Sequence, residues 1–413
     1  MKLILLLNSV LLICACTNAG KSYSAPNIHA EQASRDVTYL CKLVKQKYAY
    51  YAFHAQIWER ACRKAGREAK QVKTALQKLE LFERLMDALY DAHASLGINS
   101  QYSPRVIPSG SDMWLSMKGN IVRIDALRSF GGAAKAGLEV GDIILRINGK
   151  TPIEMMKARL HGNVDIVPES GKVWALNAVA AGNRGAPRYF EVERDGQVLK
   201  FDLGNPEPDM PEPVLESRLI SPSIGYIRFN NSLGNTGTVS VFDEAVSRLR
   251  GAKAWILDLR NTPSGGNTAV AEPVMGRFIS KAKEYQIVVA RGKEPYNRIV
   301  YSRKPVLSGP MMVLVGHWTG SMGEGMAIGL DGMKRARIVG SKMAGLAGGT
   351  EEFILPATKF PVRFPTYDLR HLDGTPRNIW EPPLVLEPIA GDSADVVLDF
   401  VVKRLSKEIS TNK

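Results

Sequence analysis

Apolar positions between residues 30 and 98 recur at helical spacing. Val37, Leu40, Cys41, Val44 and Tyr48 fall on one face, and Val72, Leu76, Leu79, Phe82, Met86 and Leu89 fall on another. Such stripes predict core-facing helices. Over residues 100–205 the pattern shortens to strands. Ile143 to Ile147 reads as one strand between Gly141–Asp142 and Asn148–Gly149, the latter a hairpin signal. Tyr189 to Glu193 and Val198 to Phe201 flank Asp195–Gly196 as a second hairpin. Beyond residue 214 the apolar runs stop alternating. Ala254 to Leu259 and Met311 to Val315 are each nearly continuous, as expected of parallel strands covered on both faces. Helices are predicted after each of them, from about Thr268 and from about Met322 to Leu330. The expected fold class is therefore α/β and multidomain: a helical domain over 28–99, a β-rich domain over 100–205, and an α/β core over 214–405. A Pro-, Glu- and Asp-rich stretch, Pro206 to Pro213, reads as the linker between the last two.

Candidate chemistry lies where the two buried strands end. After Met311–Val315 come Thr319, Gly320 and Ser321. Small neighbours let the backbone turn sharply and push the Ser321 hydroxyl out at the strand end. The next backbone N–H is then free to stabilise an oxyanion. An isolated serine there also reads as a helix cap. The first strand ends in Asp258–Leu259–Arg260 and continues as Asn261–Thr262–Pro263–Ser264–Gly265–Gly266–Asn267, which exposes N–H groups at a helix start. The glycines also suit a plain strand-to-helix turn. Two such loops predict one site at the carboxyl ends of neighbouring strands.

These two motifs, with Arg335–Ala336–Arg337–Ile338–Val339–Gly340 after them, resemble the core of the C-terminal processing (tail-specific) serine proteases. The resemblance implies that Ser321 is the nucleophile, that Glu324 sits at the family's Glu, and that the N–H groups of Gly266 and Met322 form the oxyanion hole. It also implies peptide or protein substrates and no cofactor. The family's Ser–Lys dyad takes its Lys six residues after the glycine matching Gly340, and Leu346 stands there instead. Lys342 is four residues too early. A tricorn-core-like branch of the superfamily uses Ser, His and Glu. Its L-x-D-x-H motif resembles Leu89–Tyr90–Asp91–Ala92–His93, and its Glu segment resembles Ile379–Trp380–Glu381–Pro382. The resemblance thus implies His93 as general base and Glu381 as the carboxylate that orients it. A His base predicts activity rising with pH through the ordinary range of about 6–7. The contrasting expectation, motivated by Leu346, is a catalytically inactive relative that scaffolds peptides.

Gly132 to Leu138 followed by Val140–Gly141–Asp142–Ile143–Ile144 resembles a PDZ domain, which implies binding of peptide C-termini by strand addition. Ser109 to Lys118 lacks an evident carboxylate-binding loop, so the fold is better marked than the binding. The insert Asn163 to Gly185 is expected to pack on the core. His371, with Glu351 or Glu352 before it, follows the order of an α/β-hydrolase triad, but Thr319 breaks that fold's elbow motif. His317 is placed for pocket shape or packing; His29, His54 and His161 have no evident partners, and no His/Cys spacing suggests a metal site.

The 413 residues carry 45% hydrophobic and 23% charged side chains and a formal net charge of +13. The basic residues are spread out, without aromatic interleaving, so no nucleic-acid partner is expected. Anionic lipid heads or cell-wall polymers suit such a surface. Met1 to about Cys16 reads as an export signal: Lys2, an apolar run from Leu3 to Ile13, then small residues. Ile13–Cys14–Ala15–Cys16 resembles a lipobox with Cys16 lipidated, and Thr17–Asn18–Ala19 offers an ordinary cleavage site within the leader, 1–19. The expected location is the cell envelope, periplasmic or anchored by lipid. Cys41 and Cys62 read as a disulfide or as buried thiols.

Overall fold

The computed structural model describes residues 27–204, 213–387 and 395–411. The proposed export signal and Cys16, and nearly all of the proposed linker, lie outside them. Residues 213–411 build a six-stranded sheet in the order Leu384–Val385, Arg337–Gly340, Met311–Val315, Ala254–Asp258, Ile224–Phe229, Leu215–Ile220. All neighbours pair in parallel except the edge strand Leu215–Ile220. Alternation explains why the central strands carry no polar face. Trp255, Leu257, Met311, Val313 and Val315 pack on one side with helices Thr238–Arg248, Thr268–Gly276 and Met322–Gly332. Ala254, Ile256, Met312 and Leu314 pack on the other, against helix Val396–Thr411.

The N-terminal helices are Ile28–Lys47, Tyr51–Ala69 and Ala75–Asp87. Asn27 caps the first by accepting the N–H groups of His29 and Ala30, and Thr74 caps the third by accepting that of Gln77. Cys41 and Cys62 are joined as a disulfide between the first two. The third helix departs from the expected stripe: Val72 precedes it, Leu76 is 37% exposed, and Leu81 and Leu85 are buried instead. It packs on both other helices and on the strand Ser95–Leu96, so it buries a wider face than one stripe. This cluster is not closed by the helices alone. Val362 and Phe364, from strand Pro361–Arg370, and Leu355, which follows its antiparallel partner Gly349–Ile354, complete it. The latter strand also pairs with Ser95–Leu96, which ties the end of the helical segment to the C-terminal core.

The β-rich segment is an antiparallel sheet of Met113–Lys118, Ile121–Leu127, Ile143–Ile147, Tyr189–Arg194 and Gln197–Asp202, in that order. Asp195 and Gly196, with φ of 51° and 76°, make the expected hairpin. Asn148–Gly149 does not. Both residues have positive φ, but the turn closes on a single bridge, Ile147 to Lys150. Thr151 and Glu154 then form a capping box with Pro152 at the first helical position, and the chain continues as helix Pro152–Arg159. Helix Glu169–Ala181, from the insert, packs Ala175 and Leu176 into this segment's core.

The Cys41–Cys62 bridge spans 21 residues of sequence. Replacing both by Ser is expected to lower stability by about 3 kcal/mol in chemical denaturation. An unchanged denaturation midpoint would contradict a formed bridge.

Candidate active site

Parallel pairing of Ala254–Asp258 with Met311–Val315 carries on past both strands. Thr262 N–H donates to the Trp318 carbonyl at 3.0 Å, Gly320 N–H donates to the Thr262 carbonyl at 3.1 Å, and Thr262 and Thr319 form a parallel bridge. The Thr319 hydroxyl donates to the Leu259 carbonyl at 2.9 Å and accepts the Gly316 N–H at 3.0 Å. The two predicted loops are thereby one structure at the carboxyl ends of the strands. Ser321 follows with φ 49° and ψ −109°, a conformation strained for a residue with a Cβ. Helix Met322–Gly332 begins at the next residue.

Two neighbours hold that strained turn. The buried Glu324 carboxylate accepts the Ser321 N–H at 2.6 Å. Gly265, with φ 65°, lies so close that a Cβ there would overlap Ser321 Cβ and sit 2.8 Å from its Oγ and 2.9 Å from Met322 N. Only glycine fits. Among the described residues, no protein acceptor takes the N–H of Gly266 or of Met322. Met322 adjoins the serine and Gly266 adjoins the glycine in contact with it, so both are candidates for the donors that an oxyanion site requires.

His93 lies between the third helix and Ser95–Leu96. Asp91 fixes its backbone: Oδ1 accepts the His93 N–H at 2.9 Å, and Oδ2 accepts the Tyr48 hydroxyl at 2.9 Å. The ring Nδ1 donates to the Ala347 carbonyl at 2.7 Å, which in the neutral ring puts the lone pair on Nε2; the Gly348 backbone also bonds the ring. Ala347 belongs to the strap that follows strand Arg337–Gly340, and this strap reaches the nucleophile turn. Leu346 Cδ1 lies 3.1 Å from where a Gly320 Cβ would stand, and Glu324 Oε1 accepts the N–H of Gly345 at 2.8 Å and that of Leu346 at 3.2 Å. Burial and then the Arg377 cation push the His93 pKa down to about 4. Burial pushes Glu324 up to about 7, against the pull of Arg377 and of its three N–H donors. Asp91 is raised to about 6 by burial.

Residues 223–378 match peptidase family S41. A carboxyl-terminal-processing protease of Picosynechococcus is 26% identical over 320 residues, covering 74% of this chain and 71% of that protein. The carboxy-terminal processing protease CtpA of Bacillus subtilis is 29% identical over 216 residues, covering 52% of this chain and 42% of that one. The matched segment is thus a peptidase family S41 domain, and the relatives it resembles are C-terminal processing proteases. In fold, the chain is similar to mature CPAF, with a TM-score of 0.62 at 14% identity over 87% of this chain and 93% of that one. It is also similar to the photosystem II D1 C-terminal processing protease, with a TM-score of 0.56 at 17% identity over 90% and 97%.

The fold does not bring all the expected residues together. Gly265, next to Gly266, lies against Ser321 and Met322, and His93 is linked to that turn through the strap. Glu381 does not reach His93. Its side chain is 59% exposed and pairs with Lys342 at 3.5 Å, itself 57% exposed. The residue of that region that turns inward is Arg377, buried in the short turn Arg377–Ile379. Leu346, at the position of the family's Lys, is buried with no charge to offer. His371 is stacked on Trp380 and lies 3.2 Å from the Asp331 carboxylate, a packing role. His317 stacks on Trp114 with ring centroids 5.0 Å apart, and burial pushes it down to about 3. Among the described residues, no cluster of His, Cys, Asp or Glu could hold a metal ion.

Gly265, Arg377 and the Ala347 carbonyl were not singled out by the sequence. Gly265 stands in the glycine pair, where either member could have been the close one. Nothing in Arg377 or Ala347 distinguishes them from neighbouring residues. Gly265→Ala is expected to fold and to lose reaction with a fluorophosphonate probe by about 100-fold, because its methyl must displace Ser321. Labelling at the wild-type rate would contradict the close approach.

Proposed function

We propose that the protein is an exported serine endopeptidase that cleaves peptide bonds of envelope proteins or peptides through an acyl-enzyme on Ser321. The observation that carries this reading is the strained Ser321 turn, tied through Glu324 to the same strap that accepts His93 Nδ1. In the proposed reaction, His93 Nε2 takes the Ser321 hydroxyl proton as Oγ attacks the scissile carbonyl carbon. The N–H groups of Gly266 and Met322 hold the resulting oxyanion. His93 then protonates the departing amine, and the acyl group stays on Oγ as an ester. A water activated by the same nitrogen hydrolyses that ester and restores the serine. The buried, uncharged Leu346 argues against a Ser–Lys dyad and equally favours the contrasting reading, an inactive peptide scaffold.

The Cys41–Cys62 disulfide supports an oxidising compartment and hence export. Among the described residues, no helix is long and apolar enough to cross a membrane. Lipid at Cys16 is the proposed anchor. The β-rich segment is proposed to act as a PDZ module toward substrate peptides. Strand addition at its outer strand Met113–Lys118 would have to displace Asn177, whose side chain bonds both the N–H and the carbonyl of Leu115, at 2.8 and 3.0 Å.

Ser321→Ala and His93→Ala are each expected to cut hydrolysis of a casein-type substrate by at least about 10⁴-fold without unfolding the protein. Lys342→Ala should change it little. Wild-type turnover in Ser321→Ala would refute the nucleophile, and a silent wild type that folds and binds peptide would favour the scaffold.

The pH dependence separates two groups. A base must be unprotonated, and His93 with a pKa of about 4 is so throughout pH 5–8. Its contribution is therefore lost only as pH falls through about 4, below the range of about 6–7 for an ordinary histidine. Glu324, raised to about 7, is the group that gains a proton near neutrality. An acid limb near 7 in kcat/KM should thus disappear in Glu324→Gln. A limb at 6–7 that persists in that variant would return the titration to His93.

A further inference from the structure

Two buried side chains grip the strap at residues 345–348. Glu324 takes the N–H groups of Gly345 and Leu346 with one oxygen and the Ser321 N–H with the other. Arg377 Nη2 donates to the Leu346 carbonyl at 2.9 Å and to the Gly348 carbonyl at 2.6 Å. The carbonyl between those two, that of Ala347, is the one that accepts His93 Nδ1–H. The strap therefore has its N–H groups held from the nucleophile helix and its flanking carbonyls held from the turn Arg377–Ile379. The Ala347 carbonyl, held by neither, is aimed at the histidine, and the Gly348 backbone is a second, lesser partner of the ring.

We propose that the Ala347 carbonyl orients His93 in the place where a Ser–His–acid triad has its carboxylate, and that Arg377 and Glu324 are positioning residues that hold it there. The proposal rests on Ser321 and His93 being nucleophile and base. A backbone carbonyl serves the first task of such a partner: it fixes the tautomer with the proton on Nδ1 and the lone pair on Nε2. It serves the second task poorly, because a neutral acceptor cannot offset the charge of the imidazolium that forms during attack. The charged groups around the ring are Arg377 and Arg363, which oppose that charge, and Asp91, which holds the His93 backbone and is itself partly neutralised by burial. The ring is thus a weak, well-aimed base, and its aim depends on the strap. Lysine does not reproduce Arg377, since its ammonium ends one bond short of the place where Nη2 reaches both carbonyls.

The test compares kcat and KM on a fluorogenic peptide for the wild type, Arg377→Lys and Glu381→Gln, with ¹⁵N-histidine spectra of each. The wild-type spectrum should show His93 with Nδ1 protonated and Nε2 bare. Arg377→Lys keeps the charge and the fold, so it should lower kcat by about 100-fold, leave KM within about twofold, and blur the His93 tautomer. Glu381→Gln should stay within about threefold of wild type, as expected of a surface ion pair. The proposal is overturned if Glu381→Gln falls as far as His93→Ala, or if Arg377→Lys changes neither kcat nor the tautomer. Should Arg377→Lys fail to fold, the wild-type spectrum still decides, because a proton on Nε2 refutes the carbonyl as partner. Undiminished turnover in His93→Ala would instead refute the underlying Ser–His reading.

Discussion

A single buried carboxylate holds the site together. Glu324 lies on the helix that follows Ser321, yet it bonds backward to Ser321 and sideways to Gly345 and Leu346. A buried carboxylate is costly unless its lone pairs are filled. Here three N–H groups fill them, and the Arg377 cation lies near. The same bonds stabilise a serine backbone that would otherwise relax out of its strained turn. Charge satisfaction and catalytic geometry are thus one constraint, and removing either partner releases both.

The surrounding architecture supplies the pieces that this carboxylate joins. Parallel pairing extends beyond the strands to Thr262 and Thr319, so the glycine loop and the serine loop move as one body. The helical segment delivers His93 from more than 200 residues away in sequence, because Ser95–Leu96 pairs with Pro361–Arg370. The β-rich segment docks on the same loops. Trp318 Nε1 donates to the Ser111 carbonyl at 3.1 Å, and Arg128 donates to Asn261 Oδ1 at 2.7 Å. A substrate-binding event in that segment would therefore be felt one residue before Thr319 and one before Thr262.

Much of this was legible in the sequence because local physics dictates it. Continuous apolar runs marked the doubly covered strands, and small residues around Ser321 marked the sharp turn. The Asn148–Gly149 hairpin was misread because the turn signal is real but the Thr151–Pro152–Glu154 cap after it is stronger. Glu381 was misread for a different reason. A Glu near a Pro-Pro pair has the right position in the chain, but its burial depends on which side of the turn faces inward, and that side carries Arg377. Acceptors such as the Ala347 carbonyl leave no trace in a sequence, since every residue has one.

The account stands or falls on what surrounds Ser321 during reaction. A crystal structure of the fluorophosphonate adduct tests it most directly. The account predicts one phosphoryl oxygen within about 3 Å of both the Gly266 and the Met322 N–H, with His93 Nε2 within hydrogen-bond reach of Ser321 Oγ and its Nδ1 still on Ala347. An adduct whose oxygen points to solvent, or one in which Lys342 rather than His93 faces Oγ, would contradict it.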